Sequence, residues 1–173
     1  MVKATVNDFD KIFKIMQGSF PADEYRYREE QLALFDDSAY TVYLKKEGEQ
    51  IVAFLAVWEF DDFIFLEHFA VDKSYRARGL GSQMLKEVAK QYLKPICLEV
   101  ELPTTDISKR RVKFYERNGY FFNDYTYYQP PISKGKNAIA LRIMSNKSPL
   151  SRVEFETVKS TLYTKVYKTD FKY

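Results

Sequence analysis

Two arginines and two glycines lie within six consecutive residues, from Arg76 to Gly81. An apolar run, Leu66 to Val71, precedes them, and apolar residues at helical spacing follow, so we predict a strand that enters a loop and then a helix. Such a loop directs backbone N–H groups and the positive end of the helix dipole to one point. Glycines let the backbone approach a ligand closely, and guanidinium groups suit phosphate oxygens. We therefore expect a phosphate-bearing cofactor at this loop.

Two common nucleotide-binding motifs fit the loop poorly. A Walker loop requires Gly-Lys-Ser/Thr where this chain has Gly81-Ser82-Gln83. A dinucleotide fingerprint requires glycine or alanine at Met84, although Glu99 follows at about the right distance for a ribose carboxylate. A glycine loop that only turns the chain is the remaining alternative.

A second pattern follows downstream, Phe114-Tyr115-Glu116-Arg117-Asn118-Gly119-Tyr120. Together with Arg-x-x-Gly-x-Gly directly behind the predicted strand, it resembles the signature of the GNAT superfamily of acyl-CoA N-acyltransferases. The order of predicted elements also matches the fold of that superfamily from about residue 1 to residue 145. The resemblance implies that an acetyl group moves from acetyl-CoA to a primary amine by direct attack in a ternary complex. It implies neither a metal nor a covalent enzyme intermediate.

The resemblance also implies where the cofactor binds. The acyl-CoA pyrophosphate is expected on the backbone amides of the loop, which comprises Arg76, Ala77, Arg78, Gly79, Leu80, Gly81 and Ser82. Pantetheine is expected to pair with main-chain groups near Phe69 and Val71, and an amide near Phe69 would polarise the acyl carbonyl. In this superfamily a bulge commonly splays that strand from the next one.

Two side chains are candidates for proton transfer. An amine attacks only when neutral, and a lysine-like amine with a pKa of about 10.4 is mostly protonated at pH 7. Glu67 shares a strand face with residues 65, 69 and 71, so it could take the proton directly or through a water. A solvated glutamate, an arginine ion pair, or ordered water as the base are the alternatives. Tyr115 matches the family tyrosine that protonates the departing thiolate, and a core tyrosine is its alternative.

Other polar residues have two interpretations each. Ser108 stands where the family often has asparagine, and it could hydrogen-bond in the same way or only cap the helix. Arg111 replaces a small residue, and with Arg110 it forms a solvated basic face or meets a cofactor phosphate or an acidic acceptor. His68 should face the opposite side of the sheet from Glu67 and pack there. Cys97, inside a strand, should be an inert core thiol.

The composition excludes several classes of protein. The chain has 173 residues, of which 46% are hydrophobic and 29% charged, so it should form one globular domain. No apolar run reaches the ~18 residues that a membrane helix needs, and the N-terminus lacks the apolar core of a signal peptide. One cysteine and one histidine exclude an internal disulfide and leave zinc sites short of ligands. A net charge of +3 is too weak to indicate nucleic acid. We expect a cytoplasmic protein without a metal, nucleic-acid or membrane partner, possible as a homodimer.

The predicted elements position the loop in the middle of one domain. Their order is two helices, three strands, a helix, a strand, a helix, two strands and a helix, which indicates an α/β (α+β) mixed sheet with parallel pairing only at the central crossover. The second helix should extend from about Asp23 to Phe35. We expect one N-acetyltransferase domain over residues 1–173, with a core to about 145 and a C-terminal helix over about 150–167. A capping box from Ser151 to Glu154 begins that helix, which covers one end of the sheet or joins a dimer.

The acceptor is not encoded in any motif. Tyr25, Tyr27 and nearby carboxylates would suit a cationic amine, but a solvated helix face explains them as well. The alternatives to a small-molecule acetyltransferase are transfer to a protein amine, use of a longer acyl-CoA, and a sensor that binds acyl-CoA without transfer. A mononucleotide or dinucleotide binder is a further alternative.

Overall fold

The computed structural model describes residues 1–172, which form a mixed α/β chain of two compact units, as the sequence predicts for the fold class. The first unit, residues 1–94, contains β1 (Val2–Lys3), α1 (Phe9–Gln17), α2 (Arg28–Ala33), β2 (Tyr40–Glu47), β3 (Gln50–Glu59), β4 (Ile64–Val71) and α3 (Leu80–Gln91). The second, from Pro95 onward, contains β5 (Ile96–Glu101), α4 (Asp106–Arg117), β6 (Tyr120–Gln129), β7 (Ile139–Asn146) and α5 (Arg152–Thr161).

The sheet of the first unit is an antiparallel series in which β2 pairs with β1 and β3, and β3 pairs with β4. Every residue from Ile51 to Trp58 is buried, and α1 and α3 both pack on β3 and β4. Burial of consecutive strand residues requires that both faces are covered, which is what an uninterrupted apolar run predicts. The prediction of a hairpin with a doubly buried second strand is therefore confirmed.

Helices α1 and α3 bury most of the side chains that their periodicity indicates, although Ala89 of α3 is exposed. The predicted stripe of α1 is buried: Phe9, Ile12, Phe13 and Met16. In α3, Met84, Leu85 and Val88 are buried while the opposite face is exposed. Full burial of side chains of this size stabilises the folded state by about 1.5–3 kcal/mol each. This packing holds β4 and the start of α3 in place.

A β-bulge interrupts β4. Ala56 pairs with His68 and Val57 with Leu66, so Glu67 is an extra residue on β4 that has no partner on β3. A bulge disturbs the strict alternation of side chains along a strand. The face of the sheet to which a side chain beyond the bulge points therefore cannot be predicted from regular alternation.

In the second unit β7 lies between β5 and β6 and pairs antiparallel with both. Helix α4 packs on β5 and β6, and the Phe155 ring of α5 contacts the rings of Tyr125 and Tyr127. Cys97 in β5 is buried, and burial raises the pKa of its thiol to about 12, which agrees with an inert core thiol.

The C-terminal helix begins as the sequence predicts. The Ser151 hydroxyl accepts a hydrogen bond from the Glu154 amide, and the Glu154 carboxylate accepts one from the Ser151 amide. The helix continues past Thr161 as a π-helical turn over Leu162–Val166. In residues 1–172 no helix has the length and apolar character needed to cross a membrane.

The predicted second helix is wrong in its extent. Instead of one helix from about residue 23 to 35, a short 3₁₀ turn is followed by extended backbone at Tyr25 and Tyr27, and α2 begins only at Arg28. Arg26, between the two tyrosines, is only 5% exposed. The polar pattern predicts a solvated helix, whereas Arg26 is buried and the residues on either side of it are not helical.

Candidate active site

The glycine loop connects β4 to α3 as predicted. The Asp72 side chain accepts a hydrogen bond from the Ser74 amide and begins a 3₁₀ turn, after which Arg76 to Gly79 are exposed. Gly79 precedes the first helical residue of α3, and no side chain caps that end among the described residues. The amides of Leu80, Gly81 and Ser82 therefore have no acceptor within the helix, because the first turn of a helix leaves its N–H groups unpaired.

Backbone conformation explains the glycine at position 79. Gly79 has φ +76°, and a Cβ built on it would meet no atom within 4 Å. The requirement is therefore the left-handed conformation, which side chains disfavour, rather than lack of space. Ala77, two residues earlier, also has a positive φ of 62°. Two residues with positive φ therefore lie within the three positions before α3.

The two arginines of the loop keep their charged groups at the surface. The Arg76 Nε donates to the carbonyl of Val71 at 3.0 Å, which ties the loop to the end of β4. The Arg78 guanidinium lies 4.8 Å from the centre of the Tyr75 ring and 4.0 Å from the Glu47 carboxylate. Exposed ion pairs of this length contribute little to stability. Both side chains are therefore available to an anion at the helix N-terminus.

Strand β4 leads directly from the bulge to the loop. Phe69 and Val71, the predicted pantetheine partners, are half-buried and alternate with the buried Ala70. They pair with Leu55 and Ala53 of β3. The structure therefore brings Glu67, Phe69, Val71 and the residues from Arg76 to Ser82 together along one continuous segment of the first unit.

Glu67 lies in a buried polar cluster. Its side chain is 2% exposed, its Oε1 accepts a hydrogen bond from Arg26 Nη1 at 2.7 Å, and its Oε2 accepts one from Trp58 Nε1 at 2.9 Å. Burial by itself would raise the pKa of Glu67, but the Arg26 charge, followed by His68 and the Trp58 N–H, holds that pKa below its ordinary value. Among the alternatives for this residue, the arginine ion pair is present.

His68 does not face the opposite side from Glu67, so that prediction is wrong. Its Nδ1 lies 3.7 Å from the Glu67 carboxylate, and its Nε2 lies 2.8 Å from the carbonyl of Glu24. The bulge is the physical reason, since it breaks the alternation on which the prediction depended. Burial lowers the pKa of His68, although the negative charge of Glu67 opposes this shift, so the imidazole is neutral at pH 7. Because a carbonyl oxygen can only accept, Nε2 carries the proton that is donated to the Glu24 carbonyl.

We expect the free energy of unfolding to decrease as the pH falls below about 6.5. The folded pKa of His68 is lowered, so the unfolded chain binds this proton more readily. The stability from the neutral imidazole is complete above the unfolded pKa and is lost as the pH falls toward the folded pKa, at up to about 1.4 kcal/mol per pH unit. The pKa of Glu67 is also lowered, so the stability that its ionised carboxylate contributes is lost only below about pH 4.5.

Urea unfolding at pH 7.5, 6.5 and 5.5 measures this dependence. The matched variant is His68→Gln, whose amide can still donate to the Glu24 carbonyl but does not titrate. It should show a flatter dependence over this range. Equal slopes for both proteins would contradict the assignment to His68.

Tyr115 lies on α4 in the second unit. It is 8% exposed, and its ring contacts Phe114 at 5.3 Å and Tyr120 at 5.7 Å between centroids. Burial raises the pKa of Tyr115 to about 12, although the charge of Arg111 opposes this shift. The phenol therefore holds its proton at pH 7, as a donor to a thiolate must.

The start of α4 shows which hydrogen bonds Ser108 and Arg111 form within the second unit. Ser108 and Thr105 form a reciprocal capping box, with the Ser108 amide bonded to the Thr105 hydroxyl and the Thr105 amide to the Ser108 hydroxyl, so Ser108 caps the helix. The Arg111 Nη1 lies 2.7 Å from the Glu101 Oε2, and both side chains are about one-third exposed. Arg111 therefore has a partner within this unit.

Sequence reasoning missed the partners of two carboxylates, Glu67 and Glu99. Arg26, which binds Glu67, is 41 residues away in the chain. Glu99 accepts hydrogen bonds from the hydroxyls of Tyr127 and Tyr167, the latter 68 residues away and at 2.7 Å from Oε2. No local pattern could have identified either set, because each depends on where distant segments pack. Within residues 1–172, no group of three or more His, Cys, Asp or Glu side chains is arranged to hold a metal ion.

The fold and this loop agree with one class of enzyme. The chain matches the family model described as "Acetyltransferase (GNAT) family" over residues 9–120, which is more than half of its length. The protein therefore belongs to the GNAT family of acetyltransferases, and the expectation from the two sequence motifs is confirmed.

Several known proteins are similar to this chain. A Bacillus subtilis (strain 168) protein described as "Putative acetyltransferase YjbC" is 34% identical over 103 residues, covering 58% of this chain and 52% of the relative. The match thus spans about half of that protein's length. A solved "Putative acetyltransferase from GNAT family from Bacteroides thetaiotaomicron" is 28% identical, with a TM-score of 0.87 over 98% of each chain. A structure of aminoglycoside 6'-N-acetyltransferase complexed with coenzyme A is 16% identical, with a TM-score of 0.59 over 84% of this chain and 96% of the other, and shows the fold alone.

Proposed function

We propose that this protein transfers an acetyl group from acetyl-CoA to a primary amine by direct attack in a ternary complex. The observation that carries the proposal is the loop before α3, where amides without helical acceptors lie beside two exposed arginines in a GNAT fold. Donors of this kind match the pyrophosphate of coenzyme A. A solved structure with the same fold is described as complexed with coenzyme A, which supports the choice of cofactor.

The residues of β4 and the loop have separate roles in this proposal. The amides from Arg76 to Ser82 and the arginine charges hold the pyrophosphate, and main-chain groups near Phe69 and Val71 hold pantetheine. Bound acetyl-CoA supplies an activated acyl group. An amide near Phe69 donates to the acyl carbonyl oxygen, where negative charge develops during attack.

Tyr115 serves as the hydrogen-bond donor to the leaving thiolate. A phenol with a pKa of about 12 remains protonated at every physiological pH, so the hydrogen-bond donor does not depend on pH in this range. The sequence leaves Glu67 and ordered water as alternative acceptors of the amine proton, and both stay predictions, as do the cytoplasmic location and the assignment of the whole chain to one domain.

The first experiment is calorimetric titration of the purified protein with acetyl-CoA, CoA, ATP and NAD. We expect micromolar binding of acetyl-CoA, in the range of about −8 kcal/mol, and at least about tenfold weaker binding of ATP and NAD. A preference for ATP or NAD, or no binding at all, would contradict the proposed cofactor.

Thiol release in the presence of amines then tests transfer. The panel contains one example of each chemical class: spermidine as a polyamine, kanamycin as an aminosugar, and a peptide with an N-terminal alanine. Acceleration by any of them supports transfer to a primary amine. Tight binding of acetyl-CoA with no thiol release for any amine in the panel would favour the sensor alternative.

A further inference from the structure

Two consecutive residues of the β4 bulge bind the same distant segment. Glu67 forms the ion pair with Arg26, and His68 donates to the carbonyl of Glu24. In a regular strand these neighbours would point to opposite faces, and only one could reach this segment. The bulge therefore permits a double attachment of residues 22–27, which form the second part of the connection between α1 and α2.

The environment of Glu67 suits attachment better than proton transfer. Each carboxylate oxygen accepts a hydrogen bond, one from Arg26 and one from Trp58, and the side chain is 2% exposed. The accepting atom of a general base must lie within about 2.6–3.2 Å of the atom that carries the proton, or reach it through one water. A carboxylate enclosed in this way and paired with a guanidinium is also a weak base.

The attachment points on β4, Glu67 and His68, directly precede Phe69, whose amide is expected at the reaction centre. Phe69 is two residues beyond Glu67, about 7 Å along the strand. Tyr25, next to Arg26, is itself held by an edge contact with Phe13 of α1, at 5.8 Å between ring centroids. Residues 22–27 are thus held at both α1 and β4, and their contacts on β4 are with Glu67 and His68, which immediately precede Phe69.

We propose that Glu67 is a positioning residue: through its ion pair with Arg26, and with His68 on the Glu24 carbonyl, it fixes residues 22–27 as one wall of the acceptor site. Ordered water, rather than Glu67, then takes the amine proton. This inference rests on the proposed function for the acceptor, but the attachment itself does not depend on it.

The test compares Glu67→Gln and Arg26→Gln with a matched control, Arg28→Gln. Arg28 lies two residues from Arg26 and pairs with Asp10 at 2.5 Å, but both of those side chains are exposed. Hydrogen–deuterium exchange reports the order of residues 22–27, calorimetry reports acetyl-CoA affinity, and thiol release reports kcat and KM for the fastest amine of the panel of spermidine, kanamycin and the alanine peptide.

We expect Glu67→Gln and Arg26→Gln to speed amide exchange in residues 22–27 at least about tenfold, because both break the same attachment. Each should raise the amine KM by about tenfold while kcat and the acetyl-CoA Kd change by less than about threefold. The acidic limb of the pH profile of kcat/KM should stay in place. Arg28→Gln should change none of these quantities.

Three results would overturn the inference. One is a loss of kcat and of the acidic limb in Glu67→Gln alone, which would make Glu67 the base. Another is unchanged amide exchange of residues 22–27 in both variants, which would show that the Arg26–Glu67 ion pair does not hold the segment. If the enzyme accepts no amine of the panel, the exchange measurement is the deciding test. The third is faster exchange with unchanged KM. Absence of acetyl-CoA binding by the wild type would instead contradict the proposed function.

A variant that fails to fold does not end the test. The double variant Arg26→Gln/Glu67→Gln leaves no uncompensated buried charge. The fold-changes in its amide exchange and amine KM should equal those of each single variant and should not reach the product of the two. The reason is that the two single variants and the double variant all lose the same attachment. Arg26→Lys keeps the charge and should recover much of the wild-type KM, and a failure to do so would contradict a role for the ion pair.

Discussion

Replacing Tyr115 with phenylalanine is expected to lower kcat about 100-fold, the lower end of what a positioned acid or hydrogen-bond donor contributes. The substitution removes one oxygen from a side chain that is 8% exposed and packed between Phe114 and Tyr120. The ring contacts remain, so the acetyl-CoA Kd should change by less than about threefold. Steady-state kinetics and calorimetry measure the two quantities.

Tyr120→Phe is the matched control. Its ring is in the same cluster, and in the described part of the chain its buried hydroxyl has no hydrogen-bond partner. Removing an unpartnered buried hydroxyl should leave kcat unchanged and not reduce stability. Equal losses in both variants, or a large rise in the acetyl-CoA Kd for Tyr115→Phe, would make Tyr115 a packing residue. Since the pKa of Tyr115 is about 12, this residue should not produce a basic limb in the pH profile below about pH 11.

Replacing Ser82 with aspartate should raise the acetyl-CoA Kd about 100-fold. Ser82 is the third residue of α3, and its amide is among those expected to bind the pyrophosphate. Unit charges of like sign about 4 Å apart repel by about 1 kcal/mol in water and about 4 kcal/mol near a protein surface, and about 2.7 kcal/mol corresponds to the expected change. An acidic residue in the first turn stabilises a helix, so the Tm should stay constant or rise.

The control for this substitution is Val153→Asp, which adds the same charge to the first turn of α5. Val153 is the second residue of that helix and is 77% exposed. It should leave the acetyl-CoA Kd unchanged, because the added charge is at a different helix N-terminus. If Ser82→Asp binds acetyl-CoA as tightly as the wild type does, the first turn of α3 does not hold the phosphates.

The sequence alone identified the features that depend on near neighbours in the chain. The stripe of α1, the doubly buried β3 and the capping box at Ser151 all follow from periodicity or from bonds between residues a few positions apart. The loop from Arg76 to Ser82 is of the same kind, because its glycine conformation and its position before a helix are local properties. Family membership followed from that loop and one further local motif.

Only the tertiary structure decided the surroundings of Glu67. The position of Glu67 suggested a base, and the alternation of side chains along a strand predicted that His68 lies on the other face. A bulge of one residue instead brings both side chains to residues 24–26. The same packing pulled Arg26 inward and broke a helix that the polar pattern had predicted over this stretch. Local preferences amount to tenths of a kcal/mol per residue, whereas a buried carboxylate left without its partner costs about 3–5 kcal/mol. The partner of a buried charge therefore outweighs the local pattern, and a partner 41 residues away becomes visible only when the chain is folded.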